Sequence, residues 1–249
     1  MESLFEQQWQ TYRTVLEHDA MEHRAAANAA ASALHLWMAE RPGHKPPPTL
    51  IDLGCGDLAR MADVFRALPL SAYTGLDLAA SVLPFAARAM GEAPFPCTWQ
   101  QGDLLTWAVR PDSPAEDNKP ERVDVIHSAF AIHHLSESQK IQFLRGALQR
   151  IEPEGLLLWV DVFQNADDTR ETYLDRYIDR VRHWPGLNAL QIQAIVEHMQ
   201  QCDWPARRGT IETIATEEGW RWHWAWRGTS GSEALAVLQP CSLKNAITP

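Results

Sequence analysis

Leu50-Ile-Asp-Leu-Gly-Cys-Gly-Asp57 is the stretch that decides the fold of this chain. It begins with an apolar run, which is typical of a buried strand, and Gly-x-Gly follows directly. Gly54 and Gly56 allow the backbone to turn tightly and approach a ligand, and a helix beginning after them offers free amide donors. The stretch predicts a strand, a tight turn and a ligand-binding helix. Two turn glycines without a ligand are the alternative.

Two further acidic residues close the next two predicted strands. Asp77 ends the strand in Tyr73-Thr-Gly-Leu-Asp-Leu-Ala79, and Asp103 ends the strand in Trp99-Gln-Gln-Gly-Asp-Leu-Leu105. In doubly wound folds an acid at the place of Asp77 accepts hydrogen bonds from ribose hydroxyls, although it can also simply cap a helix. The carboxylate of Asp103 suits the exocyclic amine of an adenine. Carboxyl ends of parallel strands meet in one crevice, so these acids and Asp52 predict a nucleoside ligand there.

The remaining chain alternates apolar runs with helical patterns, which indicates βα units around a parallel sheet. Helix formers up to residue 40 predict two helices divided near His18-Asp19, and the proline-rich run 41–48 predicts a stiff linker. Two amphipathic helices form an insertion after the fifth strand. We predict strands over 49–53, 72–77, 95–101, 122–128 and 155–162, a loop over 109–121, and helices near 57–68, 79–91, 137–151, 167–183, 187–202 and 206–218.

Alternating tryptophans mark the end of the sheet. Trp220-Arg-Trp-His-Trp-Ala-Trp226 has a period of two, which predicts a strand with all four indoles on one face, packed beneath helices. A turn over 228–231 leads to a closing strand over 233–238. We expect these two strands to pair antiparallel.

Composition excludes several classes of function. The net charge of −10 opposes contacts with nucleic-acid phosphates, so we expect a small-molecule partner rather than nucleic acid. The longest apolar stretch is too short to span a bilayer, and the N-terminal residues do not look like a signal peptide, so we expect no membrane partner and a cytoplasmic location. Widely spaced cysteines without C-x-x-C predict no disulfide framework and no metal site: Cys55, Cys97, Cys202 and Cys241.

Together these segments resemble the class I S-adenosylmethionine-dependent methyltransferase family, from about Thr49 through Leu238. The segments 52–56, 75–78 and 102–104 look like its first, second and adenine motifs, and 123–135 resembles its fourth-strand segment. The resemblance implies a doubly wound, Rossmann-like α/β fold, whose seven-stranded sheet is mostly parallel with an antiparallel last strand. It also implies an N-terminal helical cap and linker over 1–48 and a methyltransferase domain over 49–249, with the insertion at about 166–205.

The resemblance further implies S-adenosylmethionine as the cofactor, with S-adenosylhomocysteine as the product. Leu58 stands where the family often has a third glycine. By resemblance, Gly54, Cys55 and Gly56 flank the methionine moiety, and Asp52 orients its ammonium group. Asp77 holds the ribose, Leu78 packs on the adenine, and Asp103 and Leu104 recognise the edge of the adenine. Ser128 and Phe130 lie beneath the reacting methyl group.

Methyl transfer from a sulfonium is an in-line displacement that needs no protein nucleophile. An oxygen or nitrogen acceptor must still lose a proton, and histidine has a suitable pKa. The candidate catalytic residues are His127, His133 and His134 at the end of the fourth strand, where a structural role is the alternative. At the N-terminal helix junction, His18, His23 or Arg24 either faces the site or lies on a solvated surface.

Three other functions stay open. An NAD(P)-dependent oxidoreductase shares the βαβ unit, and Ala59 follows Gly54 and Gly56 where its fingerprint tolerates a third small residue. Against this interpretation, the chain has no Tyr-x-x-x-Lys pair. The second alternative is the transfer of another group from a modified sulfonium. The third is a protein that binds S-adenosylmethionine without catalysis.

Overall fold

The computed structural model describes residues 9–110 and 122–241, with only the backbone of Trp9. Strands and helices alternate from Thr49 onward, as the apolar runs predict. The strands are β1 (Thr49–Leu53), β2 (Ala72–Asp77), β3 (Cys97–Gln101), β4 (Val123–Ala129), β5 (Ile151–Gln164), β6 (Ala206–Arg207), β7 (Trp220–Arg227) and β8 (Glu233–Pro240).

The helices precede, separate and follow these strands. Short 3₁₀ turns at Ala80–Val82 and Ile132–His134 complete the described elements. The helices are α1 (Trp9–Glu17), α2 (His23–Glu40), α3 (Ala62–Ala67), α4 (Leu83–Met90), α5 (Leu104–Val109), α6 (Glu137–Arg150), α7 (Arg170–Val181), α8 (Ala189–Cys202) and α9 (Arg208–Glu217).

The main sheet has the strand order β3-β2-β1-β4-β5-β8-β7. Strands β1 to β5 run parallel, and β8 pairs antiparallel with both β5 and β7. The two-residue β6 pairs parallel with β5 beside this path. The order reverses between β1 and β4, so their carboxyl ends border the crevice in which doubly wound folds bind ligands. The predicted fold class is confirmed, and β6 is an addition to it.

Helices cover both faces of the sheet, because successive strand residues point to opposite sides. On one face, α2, α3 and α4 pack against Leu50, Tyr73 and Leu158. On the other face, α5, α6 and α9 pack against Ile51 and Trp159. Burial on both faces explains why these strands appear in the sequence as nearly continuous apolar runs.

The inserted helices α7 and α8 form a third apolar cluster with α1. Tyr173, Tyr177 and Trp184 of this cluster pack near Val15 and Val162. Arg180 of α7 donates to the carbonyl of Ala20, 2.5 Å away, in the α1–α2 junction. The insertion is therefore attached to the N-terminal helices as well as to the sheet.

The predicted elements occur in the predicted order, but α3 begins at Ala62 rather than 57, and β5 begins at Ile151 rather than 155. Two other predictions fail. The sequence pattern missed α5, because a helix of six residues is too short to show a helical period. The prediction that four indoles share one face is wrong for Trp226. A bulge between Trp224 and Trp226 shifts the register, so Trp226 packs in the cluster with α2 while Trp222 and Trp224 pack on the α9 side.

Two further predictions concern the loop after α5 and membrane-spanning helices. Residues 111–121 of the predicted loop at 109–121 lie outside the described residues. The helix α5 (Leu104–Val109) ends at the first residue of that predicted loop. Among the described residues, no helix combines the length and apolar character that crossing a membrane requires.

Candidate active site

The turn after β1 brings two glycines with positive φ to the edge of the sheet. Gly54 has a φ of 76°, and a Cβ atom there would lie 2.5 Å from the Cβ of Ala131. Gly56 has a φ of 54° and open space where its Cβ would stand. The first glycine is therefore required by packing, while the second leaves room for a ligand beside the backbone.

Leu58 adopts the left-handed conformation in which glycine is favoured. Its φ is 57°, and its side chain is buried. The turn therefore keeps the backbone conformation of a glycine at the position where Leu58 stands. Burial of the leucine side chain offsets the conformational cost.

Asp77 binds the glycine turn directly. One carboxylate oxygen accepts from the amide of Gly56 at 2.8 Å, and the other accepts from the amide of Ala79 at 2.9 Å. Burial raises the pKa of Asp77, and the two amide hydrogen bonds oppose that shift. Asp77 thus caps the turn after β2 and also holds β2 against the glycine turn, and each oxygen keeps a further lone pair.

The predicted adenine residues lie further along the same edge. Asp103 is the N-cap of α5 and accepts from the amide of Thr106 at 2.7 Å. The side chain of Leu78 is exposed, and its carbonyl accepts from Gln101 at 3.3 Å. Leu104 packs partly buried against the α6 side of the sheet. These residues surround the ends of β2 and β3.

Asp52 and His127 form a buried pair beneath the glycine turn. Nδ1 of His127 lies 2.7 Å from one oxygen of Asp52, and the hydroxyl of Tyr73 donates to the other at 3.2 Å. The ring of Phe65 packs edge-on against His127, 5.3 Å between centroids. Neighbouring strands β1 and β4 place Asp52 and His127 side by side.

The N-terminal helices close the other side of this crevice. His23 begins α2, is 5% exposed, and neither of its ring nitrogens has a hydrogen-bond partner among the described residues. Its ring lies 4.8 Å from the ring of Phe130 and 6.4 Å from that of Tyr12. Burial lowers the pKa of His23 to about 4. The sequence leaves His23 as one of three open candidates, since a helical pattern does not show which end faces the sheet.

One cavity lies between α2, the glycine turn and the ends of β4 and β5, and we call it the crevice. Six of the residues predicted to act at the site line it, and Asp77 adjoins it through Gly56. The N-terminal helices contribute Tyr12, Leu16, His23, Ala26, Ala27 and Ala30 to its lining. The other lining residues are Asp52 and 54–61 from β1 and the segment after it, and His127, Ala129, Phe130 and Val160.

Ser128 points away from the crevice. Its hydroxyl donates to the carbonyl of Leu53 at 2.8 Å, and the residue is fully buried. Alternation along β4 places His127 and Ala129 toward the crevice and Ser128 toward the opposite face. Phe130 reaches the crevice because it follows the strand with a φ of 53°.

His133 and His134 do not line the crevice. The 3₁₀ turn after β4 carries them to a separate polar cluster, in which Asp161 lies 2.6 Å from Nδ1 of His133 and Asp203 lies 3.3 Å from Nδ1 of His134. Val160 lines the crevice, and the next residue, Asp161, points to the opposite face of β5. Of the three histidines at the end of the fourth strand, the structure brings only His127 to the glycine turn.

A comparison with protein families matches residues 51–157 to a family model described as a methyltransferase domain. That region includes the glycine turn, Asp77, Asp103 and β4. This part of the chain is therefore similar to a methyltransferase domain, as the motifs that resemble the class I family predict. The cofactor of this class is S-adenosylmethionine, in agreement with the sequence motifs. No curated protein sequence matches the chain.

Solved structures of methyltransferases and of a cyclopropane synthase share the fold of this chain at low sequence identity. The plantazolicin methyltransferase BpumL, in complex with a triazolic desmethylPZN analog and SAH, is 14% identical with a TM-score of 0.61, and the match covers 94% of each chain. The mitomycin 7-O-methyltransferase MmcR is 16% identical with a TM-score of 0.51, covering 86% of this chain and 54% of that one. The cyclopropane synthase MmaA2 from Mycobacterium tuberculosis is 17% identical with a TM-score of 0.51, covering 82% and 62%.

The chain therefore spans only part of the length of some of these relatives, about half in the case of MmcR. At this level of identity the comparisons show a shared fold. A shared fold does not determine which atom is methylated, since acceptor pockets vary between proteins of one fold.

Proposed function

We propose that this chain transfers a methyl group from S-adenosylmethionine to an oxygen or nitrogen atom of a small molecule bound in the crevice. The observation that carries the proposal is the position of His23. Its imidazole is buried, has no hydrogen-bond partner among the described residues, and shares the crevice with the glycine turn and Phe130.

The residues around the glycine turn fit the cofactor. Open space beside Gly56 accommodates a ligand close to the backbone. Asp77 keeps lone pairs for the ribose hydroxyls, and Asp52 offers a buried carboxylate for the ammonium group of the methionine moiety. In the proposed arrangement Cys55 flanks that moiety, while Leu78, Asp103 and Leu104 hold the adenine at the ends of β2 and β3.

When bound, S-adenosylmethionine supplies a methyl carbon on a sulfonium, so that the acceptor lone pair forms the new bond while the carbon–sulfur electron pair returns to sulfur. The acceptor proton then needs a base. Burial lowers the pKa of His23 to about 4, so its ring is neutral at physiological pH and, although a weaker base than a free imidazole, has a lone pair that accepts this proton.

His127 has a positioning role in this proposal. Its Nδ1 is engaged by Asp52, so the pair fixes the carboxylate that faces the methionine moiety. His133 and His134 have no place in the chemical step, since neither lines the crevice. Phe130 covers the reacting group with its ring, while Ser128 contributes its backbone alone because its hydroxyl is bonded to Leu53.

Enclosure and charge support a small acceptor. Apolar side chains line the helical side of the crevice, with Ala26, Ala27 and Ala30 facing Val160. The net charge of −10 disfavours nucleic acid. BpumL is named as a plantazolicin methyltransferase and MmcR as a mitomycin 7-O-methyltransferase, and we propose an acceptor of comparable kind for this chain.

Turnover with a panel of phenols, carboxylic acids and amines tests the proposal, with release of S-adenosylhomocysteine as the readout. We expect His23→Gln to lower kcat by about 100-fold or more, the range of a removed general base, and to leave cofactor affinity unchanged. His35→Gln on the exposed face of α2 is the matched control and should behave as wild type. Full turnover by His23→Gln would refute the role of His23.

Two other results would contradict the proposed methyltransferase function as a whole. Binding of S-adenosylmethionine without turnover of any acceptor in a broad panel supports the non-catalytic alternative. Binding of NADH in place of S-adenosylmethionine supports an oxidoreductase and would overturn the proposal.

A further inference from the structure

Three histidines and one aspartate meet outside the crevice, at the junction of the sheet and the insertion. His133 and His134 come from the 3₁₀ turn after β4, while His198 and Asp203 come from the end of α8. One oxygen of Asp203, Oδ1, lies 3.3 Å from Nδ1 of His134, 3.7 Å from Nε2 of His133 and 3.7 Å from Nε2 of His198. The sequence analysis predicted no metal site from the spacing of the cysteines alone, and these four residues form two pairs that lie far apart in the chain.

These distances match those between ligands of a tetrahedral zinc ion. Zinc lies about 2.0–2.2 Å from nitrogen and oxygen ligands, so two ligands of one ion are about 3.4 Å apart. Ligand atoms of His133, His134 and Asp203 all lie within 4.8 Å of one another. The donor atoms of these three residues are therefore close enough for small side-chain movements to bring them around one ion, and Nε2 of His198 stands 3.7 Å from Oδ1 of Asp203 beside them.

Asp203 supplies the second observation that points to a cation. The residue is 7% exposed, and its Oδ1 makes no hydrogen bond of normal geometry with a described residue. A buried carboxylate oxygen without a hydrogen bond is costly, and binding a metal ion would satisfy it.

Asp161 orients His133 for ligation. One oxygen of Asp161 lies 2.6 Å from Nδ1 of His133, and the other accepts from the backbone amide of His133 and from Nε1 of Trp159, both at 2.9 Å. With its proton on Nδ1, His133 presents the lone pair of Nε2 toward Asp203. A carboxylate behind a ligating histidine is the usual outer-shell arrangement of metal sites.

We propose that His133, His134 and Asp203 bind a divalent transition-metal ion of the zinc type, with His198 as the fourth ligand. With four protein ligands the site is structural. The ion would join the turn after β4 to the end of α8, and would thereby fix the inserted helices against the sheet. The proposal is independent of the function proposed for the crevice.

A proton in place of the ion is the competing explanation. Asp161 and Asp203 supply two negative charges, and Lys140 supplies one positive charge nearby, with its ammonium donating to the carbonyls of Leu135 and Trp204. One imidazolium would neutralise the remainder without any metal. Metal titration separates the two explanations.

The test begins with wild-type protein stripped by a chelator, dialysed, and titrated with Zn²⁺ and with Co²⁺. We expect one ion per chain by elemental analysis and visible Co²⁺ absorption of tetrahedral intensity. At a free Zn²⁺ concentration about 100 times the dissociation constant, the unfolding midpoint should rise by roughly 5 to 10 °C.

Variants assign the ion to this cluster. Asp203→Asn and His134→Gln should each abolish the Co²⁺ spectrum, and Asp161→Asn should weaken affinity about 10- to 100-fold. His183→Gln, an exposed histidine after α7, is the matched control and should keep wild-type affinity. Circular dichroism of the stripped variants shows whether they fold.

Two outcomes overturn the proposal. Wild-type protein that takes up no stoichiometric ion and shows no shift in midpoint has a protonated cluster instead. Stoichiometric binding that survives both Asp203→Asn and His134→Gln places the ion elsewhere.

Discussion

The imidazole of His23 lies 4.8 Å from the ring of Phe130, centroid to centroid. His23 begins the second N-terminal helix, while Phe130 follows β4 in a left-handed backbone conformation with a φ of 53°. A helix outside the sheet and the end of a central strand therefore meet in one crevice. This contact buries the imidazole of His23, and the first prediction depends on that burial.

The buried imidazole of His23 makes stability depend on pH. Its pKa is lowered from 6.5 to about 4 by burial, so the unfolded chain takes up this proton at a higher pH than the folded chain does. Stability is therefore lost as pH falls from about 6.5 toward 4, by up to about 3 kcal/mol from this group. Urea unfolding at several pH values should show a shallower pH dependence for His23→Gln than for wild type. An unchanged slope, with His35→Gln as the control, would contradict the burial of His23.

The two glycines of the turn should respond differently to alanine. Gly54→Ala places a Cβ atom 2.5 Å from that of Ala131 at a φ of 76°, so we expect a loss of about 2 to 4 kcal/mol. Gly56→Ala meets only the cost of a positive φ, about 1 to 2 kcal/mol, but its methyl group projects into the space beside the turn. Denaturant unfolding and titration with S-adenosylhomocysteine should show Gly54→Ala as the less stable variant and Gly56→Ala as a folded protein with weakened binding. Equal stability of the two variants would contradict the packing at Gly54.

Glu233 holds the insertion through a buried ion pair. It is fully buried and lies 2.6 Å from Nη1 of Arg180, while the hydroxyl of Tyr177 donates to it at 2.8 Å. Glu233→Ala removes the acceptor of the Tyr177 hydroxyl and leaves Arg180 without its carboxylate partner, although Arg180 still donates to the carbonyl of Ala20, so we expect a loss of about 3 to 5 kcal/mol. Glu218→Ala, which breaks an exposed pair with Arg145, is the control and should have little effect. Similar losses in thermal unfolding of the two variants would show that burial does not decide the effect.

Much of the fold could be predicted because its signals are local. β1 ends in Gly-x-Gly, and β2 closes at Asp77, so both strands have sharp boundaries in the sequence. The capping box at Ser136 and Gln139 likewise marks the start of α6. In each case a few neighbouring residues carry the physical reason for the structure.

Features that depend on distant contacts were not predictable. The bulge at Ala225 turns Trp226 to the other face, and no local signal distinguishes it from regular alternation. His23 reaches the crevice only because α2 packs across the sheet. Asp203 is separated from His133 and His134 by the whole insertion, so its approach to them is a property of the tertiary structure.

The central claim is that Asp77 and the glycine turn bind S-adenosylmethionine. Isothermal titration with S-adenosylhomocysteine tests it without knowledge of the acceptor, on wild type, Asp77→Asn and the exposed control Asp63→Asn. We expect one site per chain in wild type and in Asp63→Asn. For Asp77→Asn, loss of charge-assisted hydrogen bonds should weaken affinity by about 10- to 150-fold in a variant that remains folded by circular dichroism. Absence of binding to wild type, or equal affinity of Asp77→Asn, would contradict the account.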